Sequence, residues 1–225
     1  MLVAVGGHSR NVGKTSVVCG IIHATPHLHW LAVKITQHGH NICSLDGNPC
    51  DCAPTDATHP YALDQQRKAD STDTGRYLAA GAQHSYWLRT AQGELGHAVP
   101  LLKELLASQE NVILESNSIL QFLKPDLYIA VLDPATTDFK DSARRFLSRA
   151  DALYYKSARE ASTAWAGVPD RWMNAKPSFT DPAALGAFVG AQYAAALHSG
   201  HGGQERSSSD ASADGGPDTR LRSRT

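Results

Sequence analysis

The run Gly6-Gly7-His8-Ser9-Arg10-Asn11-Val12-Gly13-Lys14-Thr15-Ser16 gathers glycines, a lysine and hydroxyls near the start of the chain. Glycines let a backbone curl until several N–H groups converge on one point. A helix that starts there adds its positive end, and a lysine adds a full charge. That chemistry suits phosphate, with Lys14 near the β- and γ-phosphates of a nucleotide and Thr15 offering a hydroxyl to the octahedral shell of Mg²⁺. An apolar run, Leu2–Val5, precedes the loop and another, Val17–Ile22, follows it, so strand, loop and helix are expected in that order. In the common pattern G-x-x-x-x-G-K-[ST] a glycine stands five residues before the second one. Here His8 holds that position and Gly7 lies one further back, so the loop is one residue longer. Nucleotide contacts are expected along His8 to Ser16.

Other chemistry falls at the ends of apolar runs. Glu115 closes Asn111–Glu115, where a carboxylate supplies a second Mg²⁺ contact directly or through water. The plainer alternative is a solvent-facing acid at a strand end. Lys34 closes a second run, His29–Ile35, and offers another cation to a phosphate or an anionic substrate, unless it is a surface lysine. Asp73 is either a helix cap or a further contact to Mg²⁺ or substrate. Asn117 lies just past Glu115, within reach of substrate or the γ-phosphate. Lys156 follows the run Ala152–Tyr155 and would lie along the base. No Asn-Lys-x-Asp signature for guanine is present, which leaves ATP and GTP both open.

The stretch from Thr36 to Lys68 is rich in Gly, Pro, Asp, His and Cys and reads as a long irregular insertion. His38, His40, Cys43, Cys50 and Cys52 are dense enough to hold a tetrahedral Zn²⁺. The C-x₆-C-x-C spacing is not a common finger pattern, and free thiols in a loop are the competing reading. Cys19, on the apolar face of the first helix, is expected to be core.

These residues need a scaffold. Helices are expected at about Lys14–His23, Thr72–Ala82, Gly96–Ser108, Phe139–Ala150 and Pro182–His198. Strands are expected at Leu2–Val5, His29–Ile35, Gln83–Arg89, Asn111–Glu115, Asp126–Asp133 and Ala152–Tyr155. Short apolar strands alternating with helices imply an α/β fold, a mostly parallel sheet covered on both faces. Ligands bind such sheets beyond the carboxyl ends of the strands, where His8–Thr15, Lys34–His40, Glu115–Asn117, Asp133 and Lys156 fall. At 225 residues the chain allows one domain, expected over 1–199, with a tail over 200–225 whose composition predicts disorder. The formal charge of −1 gives no field to recruit nucleic acid or a membrane surface. No apolar run approaches the ~18 residues of a spanning helix. Met1 leads directly into a strand, so the expected compartment is the cytoplasm, where four cysteines are thiols or metal ligands rather than disulfides.

With these residues in place, the chain resembles a group of P-loop NTPases: the molybdopterin-guanine dinucleotide biosynthesis protein B (MobB) family, dethiobiotin synthetase and cobyrinic acid a,c-diamide synthase. The loop G-H-S-R-N-V-G-K-T (Gly7–Thr15) is similar in length and ending to those of the last two. The strand end V-K-I-T-Q-H-G-H (Val33–His40) and the segment D-T-G-R-Y-L-A-A-G-A (Asp73–Ala82) are similar to the MobB family. The strand V-I-L-E (Val112–Glu115) stands where these families carry Val-Glu-Gly, with Ser116 in place of the glycine. The likeness spans about residues 1–160. It implies a P-loop NTPase fold and ATP- or GTP-dependent hydrolysis or phosphoryl transfer in cofactor biosynthesis, as a hydrolase or synthetase acting on a small anionic precursor. The Cys-bearing insertion and Glu-Ser-Asn depart from the MobB pattern. Two rival readings stand beside this one: a metallocentre-assembly NTPase using the Cys/His loop, and a nucleotide switch whose output is a protein contact. A homodimer or another protein partner is left open.

Overall fold

The computed structural model describes residues 1–38, 61–157 and 165–201. In chain order the elements are β1 (Leu2–Gly7), α1 (Lys14–Ala24), β2 (Leu31–His38), β3 (Tyr61–Gln66), α2 (Asp73–Ala79) and β4 (His84–Ala91). There follow α3 (Leu95–Ala107), β5 (Val112–Glu115), β6 (Leu127–Leu132), α4 (Asp141–Leu147), β7 (Ala152–Tyr155), β8 (Ser178–Phe179) and α5 (Pro182–His201). The strands form one sheet of eight in the order β3-β4-β2-β5-β1-β6-β7-β8. All neighbours are parallel except β3 and β4. This is the α/β architecture that the alternation of elements implied.

The central strands are apolar along their whole length because both faces are covered. On one face Val3, Val5, Ile113 and Ile129 pack with Val17, Val18, Ile21 and Ile22 of α1, Tyr77 of α2, and Leu185 and Val189 of α5. On the other, Ala4, Val33, Leu114 and Leu132 pack with Leu95, Ala98 and Leu102 of α3 and Phe146 and Leu147 of α4. Each large aliphatic side chain buried this way contributes about 1.5–3 kcal/mol. Gly20 and Gly186 let α1 and α5 approach closely: a Cβ on Gly20 would run into the Pro182 ring, and one on Gly186 into the Ala24 methyl.

The chain leaves β1 through α1 toward β2 on one side, and β5 connects to β6 across β1 on the other. Where neighbouring connections diverge, a crevice opens at the carboxyl edge of the sheet. The loop after β1 lies in that crevice, with the ends of β2 and β5 on one flank and β6 on the other.

The irregular reading of 36–68 is corrected at both ends. β2 continues to His38, and residues 61–66 form β3, an antiparallel edge strand. Its alternation is masked because only Tyr61 and Leu63 pack on the core while Asp64 and Gln65 face outward. The short β8 was not anticipated. The zinc expectation at His40, Cys43, Cys50 and Cys52 lies outside the described residues, as does the tail beyond α5. No helix among the described residues is long and apolar enough to cross a membrane.

Candidate functional site

The loop after β1 is shaped by contacts that leave little freedom. Gly13 sits at the N-cap of α1 with φ +96°, a conformation that favours glycine. Gly6 passes so close to Asn117 that a Cβ would collide with its Oδ1. Asn117 clamps the next peptide from both sides: Gly7 N donates to Oδ1 at 3.0 Å, and Nδ2 donates to Gly7 O at 2.7 Å. Val12 is fully buried, while Arg10 and Asn11 are exposed at the tip. The Lys14 ammonium turns back toward the Ser9 carbonyl, 3.5 Å away, which is a weak bond at best. Burial lowers the Lys14 pKa, and Lys34 pushes the same way against the pull of Glu115 and Asp73.

An acidic corner faces Lys14. Parallel register makes Glu115 the Cα partner of Lys34 on β2 and of Val5 on β1. Glu115 is 4% exposed, so its carboxylate needs partners to offset lost hydration. It has three. The Thr15 hydroxyl donates to Oε2 at 2.8 Å, the Tyr77 phenol donates to the same oxygen, and Lys34 Nζ lies 3.4 Å from Oε1. Burial, and then the Glu115 charge, push the Tyr77 pKa well above its usual value, so the phenol stays a neutral donor.

Lys34 also pairs with Asp73, bridging two carboxylates. Asp73 opens α2, where Thr72 is the N-cap and its Oγ1 accepts from Gly75 N at 3.1 Å. Burial would raise the Asp73 pKa. The Lys34 hydrogen bond and charge, with Thr15 and Arg76, outweigh it and hold the group below its usual value. Arg76 lies 3.7 Å from Asp73 and donates to Ser16 Oγ at 3.1 Å. A cleft of about 250 Å³ opens between these groups, lined by Asn11, Gly13, Lys14, Thr15, Ser16, Lys34, Asp73, Arg76 and Glu115.

The far flank of the loop is a strap rather than a cleft. His8 is 1% exposed and packs on Phe139 and Trp165, with ring centroids 5.1 and 5.3 Å away. Its Nδ1 accepts from Asp133 N at 3.4 Å, which leaves Nε2–H to donate to Thr136 O at 3.2 Å. Burial lowers its pKa, consistent with the neutral ring that this pattern requires. The Ser9 hydroxyl donates to Asp138 at 2.6 Å, and Lys140 N donates to His8 O at 2.8 Å. The histidine in the position of a glycine is therefore a post that anchors the loop to residues 133–140. Beside it, Lys156 pairs with Asp133 at 2.9 Å. Burial would raise the Asp133 pKa, but the Lys156 hydrogen bond keeps it low.

Of the residues expected from sequence, the structure brings Asn11, Gly13, Lys14, Thr15, Ser16, Lys34, Asp73 and Glu115 to one cleft. His8, Ser9, Val12 and Asn117 shape the loop from behind. Lys156 stands at the end of β7 on the far flank, and His38 at the end of β2. Its Nε2 has no hydrogen-bond partner among the described residues, and burial, then the charge of Arg89, lower its pKa. Sequence reasoning missed Tyr77, Arg76 and Asp138. Tyr77 was legible only in hindsight, lying one helical turn after Asp73 and so on the same face of α2.

The Thr15 hydroxyl and the Asp73 and Glu115 carboxylates are hard oxygen donors, the set that fits Mg²⁺. Lys34 already places a positive charge between the two acids, so the corner is built around a cation. Among the described residues no group of three or more His, Cys, Asp or Glu is clustered for a metal. A divalent ion held here would complete its shell with phosphate and water, as Mg²⁺ commonly does.

Fold and site together define an α/β protein with a charged cleft at the carboxyl edge of a mostly parallel sheet. Compared with known proteins, the chain matches no family model, no curated protein and no solved structure.

Proposed function

We propose that this chain is a Mg²⁺-dependent P-loop protein that binds a nucleoside triphosphate and moves or hydrolyses its γ-phosphoryl group. The observation that carries the reading is the meeting of Thr15 and Glu115 beside Lys14, in a cleft that opens on a glycine-bearing loop. Loop amides and Lys14 hold the β- and γ-phosphates. Thr15, Glu115 and Asp73 hold Mg²⁺, which when bound draws charge off the phosphate oxygens. Lys34, released from its carboxylates, turns its ammonium toward the terminal phosphate or an anionic acceptor. Catalysis of this kind is positioning plus charge stabilisation. The likeness to the MobB and dethiobiotin synthetase group supports a small anionic acceptor of the cofactor-precursor kind.

The test is calorimetric titration of the whole chain with ATP and with GTP, each in Mg²⁺ and in excess chelator. Binding of at least one triphosphate that weakens at least tenfold without Mg²⁺ supports the reading. No binding of either nucleotide contradicts it.

A further inference from the structure

Arg76 lines the cleft from α2, an element that the loop motif does not include. Its main chain docks on α1, where the Cys19 thiol donates to the Arg76 carbonyl at 3.5 Å. Its side chain reaches the first turn of α1, and Nη2 donates to Ser16 Oγ at 3.1 Å. The other terminal nitrogen, Nη1, lies 3.7 Å from Asp73, beyond hydrogen-bond length. Asp73 is held more closely by Lys34. A guanidinium carries five N–H donors in a planar fork. Here one meets a neutral hydroxyl and another faces an acid that a second cation already holds. The side chain stays 42% exposed, at the wall of the cleft.

The charge of that wall favours an anion: Lys14, Lys34 and Arg76 stand against Asp73 and Glu115, three cations to two acids. Ser16 gives its position. Its Oγ accepts from Arg76, so its own proton is left to donate. Ser16 is the third residue of α1, and the first bond of the helix runs from Val17 N to Gly13 O at 3.1 Å. The Ser16 amide is therefore among those that helix geometry leaves unpaired. If the loop and Lys14 hold the β- and γ-phosphates and Thr15 the metal beside them, the next phosphate along the chain falls at Ser16. That is the α-phosphate, and Arg76 stands next to it.

We propose that Arg76 is an α-phosphate-binding residue of the nucleotide cleft, presented by α2 beside the Ser16 hydroxyl. The proposal rests on the phosphate-loop reading of residues 7–15. It adds to that loop a cation in the same chain that no loop motif would contain. Arg76 donates hydrogen bonds to non-bridging oxygens, and no covalent bond forms or breaks.

The experiment is calorimetric titration with Mg²⁺ and a β,γ-imido triphosphate analogue, in the ATP and GTP series, and with the matching diphosphates. Wild type, Arg76→Gln and Arg76→Lys are compared. The α-phosphate is common to both ligands, so Arg76→Gln should weaken each of them about tenfold, the value of one charge-assisted contact. Arg76→Lys keeps the charge without the fork and should lose less. Equal affinities for wild type and Arg76→Gln would overturn the proposal while leaving the loop reading intact. So would a loss confined to the triphosphate analogue, which would put Arg76 at the terminal phosphate, or a loss as large in Arg76→Lys as in Arg76→Gln. A wild type that binds neither ligand would overturn both. A measurement on wild type alone guards against misfolded variants: phenylglyoxal modification of Arg76, followed by peptide mass spectrometry, should be blocked by Mg²⁺ with the diphosphate. Modification at the free rate with the diphosphate bound would overturn the proposal.

Discussion

Thr15 and Glu115, 100 residues apart in the chain, meet at 2.8 Å between hydroxyl and carboxylate in the buried corner of the cleft. One opens α1 and the other ends β5, so the contact exists only when β1 and β5 pair in the register observed. A hydroxyl and a carboxylate so held need only a small shift for both to face one divalent ion.

Glu115→Gln keeps the shape of the corner and a hydrogen-bonding group for Thr15 and Tyr77 while removing the charge. Turnover should fall roughly 100-fold, with triphosphate affinity changed much less, because the lost charge matters most where phosphoryl charge develops. Steady-state hydrolysis compared with calorimetric affinity checks this. A correctly folded variant with unchanged turnover makes Glu115 a bystander.

Tyr77→Phe removes a fully buried hydroxyl from the same carboxylate. A hydrogen bond to a charged acceptor contributes about 1.5–3 kcal/mol, so urea unfolding should show a loss of that order. The loss should shrink when Mg²⁺ and triphosphate are present, because a cation replaces the phenol as the carboxylate's partner. Equal losses with and without ligand would place the metal elsewhere.

Much of this arrangement could be read before any coordinates. The loop, Lys34 and Glu115 stand beside apolar runs of the right length, Asp73 stands where a helix is expected to start, and parallel sheets put strand ends together at one edge. Tyr77 and Lys140 could not be read that way. A tyrosine inside a helix looks like core, and a lysine before a helix looks like solvent-facing charge. Only the approach of α2 to β5 gives the Tyr77 phenol its carboxylate, and only the approach of the segment after β6 to the loop joins the Lys140 main-chain N–H to the His8 carbonyl. His8 was placed on the nucleotide because it falls inside the motif, yet its ring points away, into Phe139 and Trp165. Asn117 likewise turned toward Gly7. The strand β3 escaped because a single-sided edge strand carries few apolar residues.

Half-burial of Lys140 makes stability depend on pH. Burial first, then Lys14 and Arg10, with Asp138 opposing, lower the Lys140 pKa from 10.5 to about 8. The folded state then binds this proton less tightly than the unfolded state. Its destabilising effect is complete below about pH 8 and is relieved as pH rises from about 8 toward 10.5. Lys140→Gln should therefore be more stable than wild type at pH 7, with the difference shrinking from about pH 8 and closing above about pH 10.5. Chemical unfolding of both proteins across that range checks it. A difference independent of pH would mean that the lysine does not titrate as its burial requires.

The central claim is that Lys14 and its loop hold a triphosphate. Calorimetric titration of wild type and Lys14→Ala with Mg²⁺ and a non-hydrolysable triphosphate analogue, in the ATP and GTP series, tests it most directly. The account expects wild type to bind at least one analogue and Lys14→Ala to lose at least 100-fold, since a partly buried ammonium on the phosphates is worth about 3 kcal/mol. Equal affinities in the two proteins, or no binding by wild type, would contradict it.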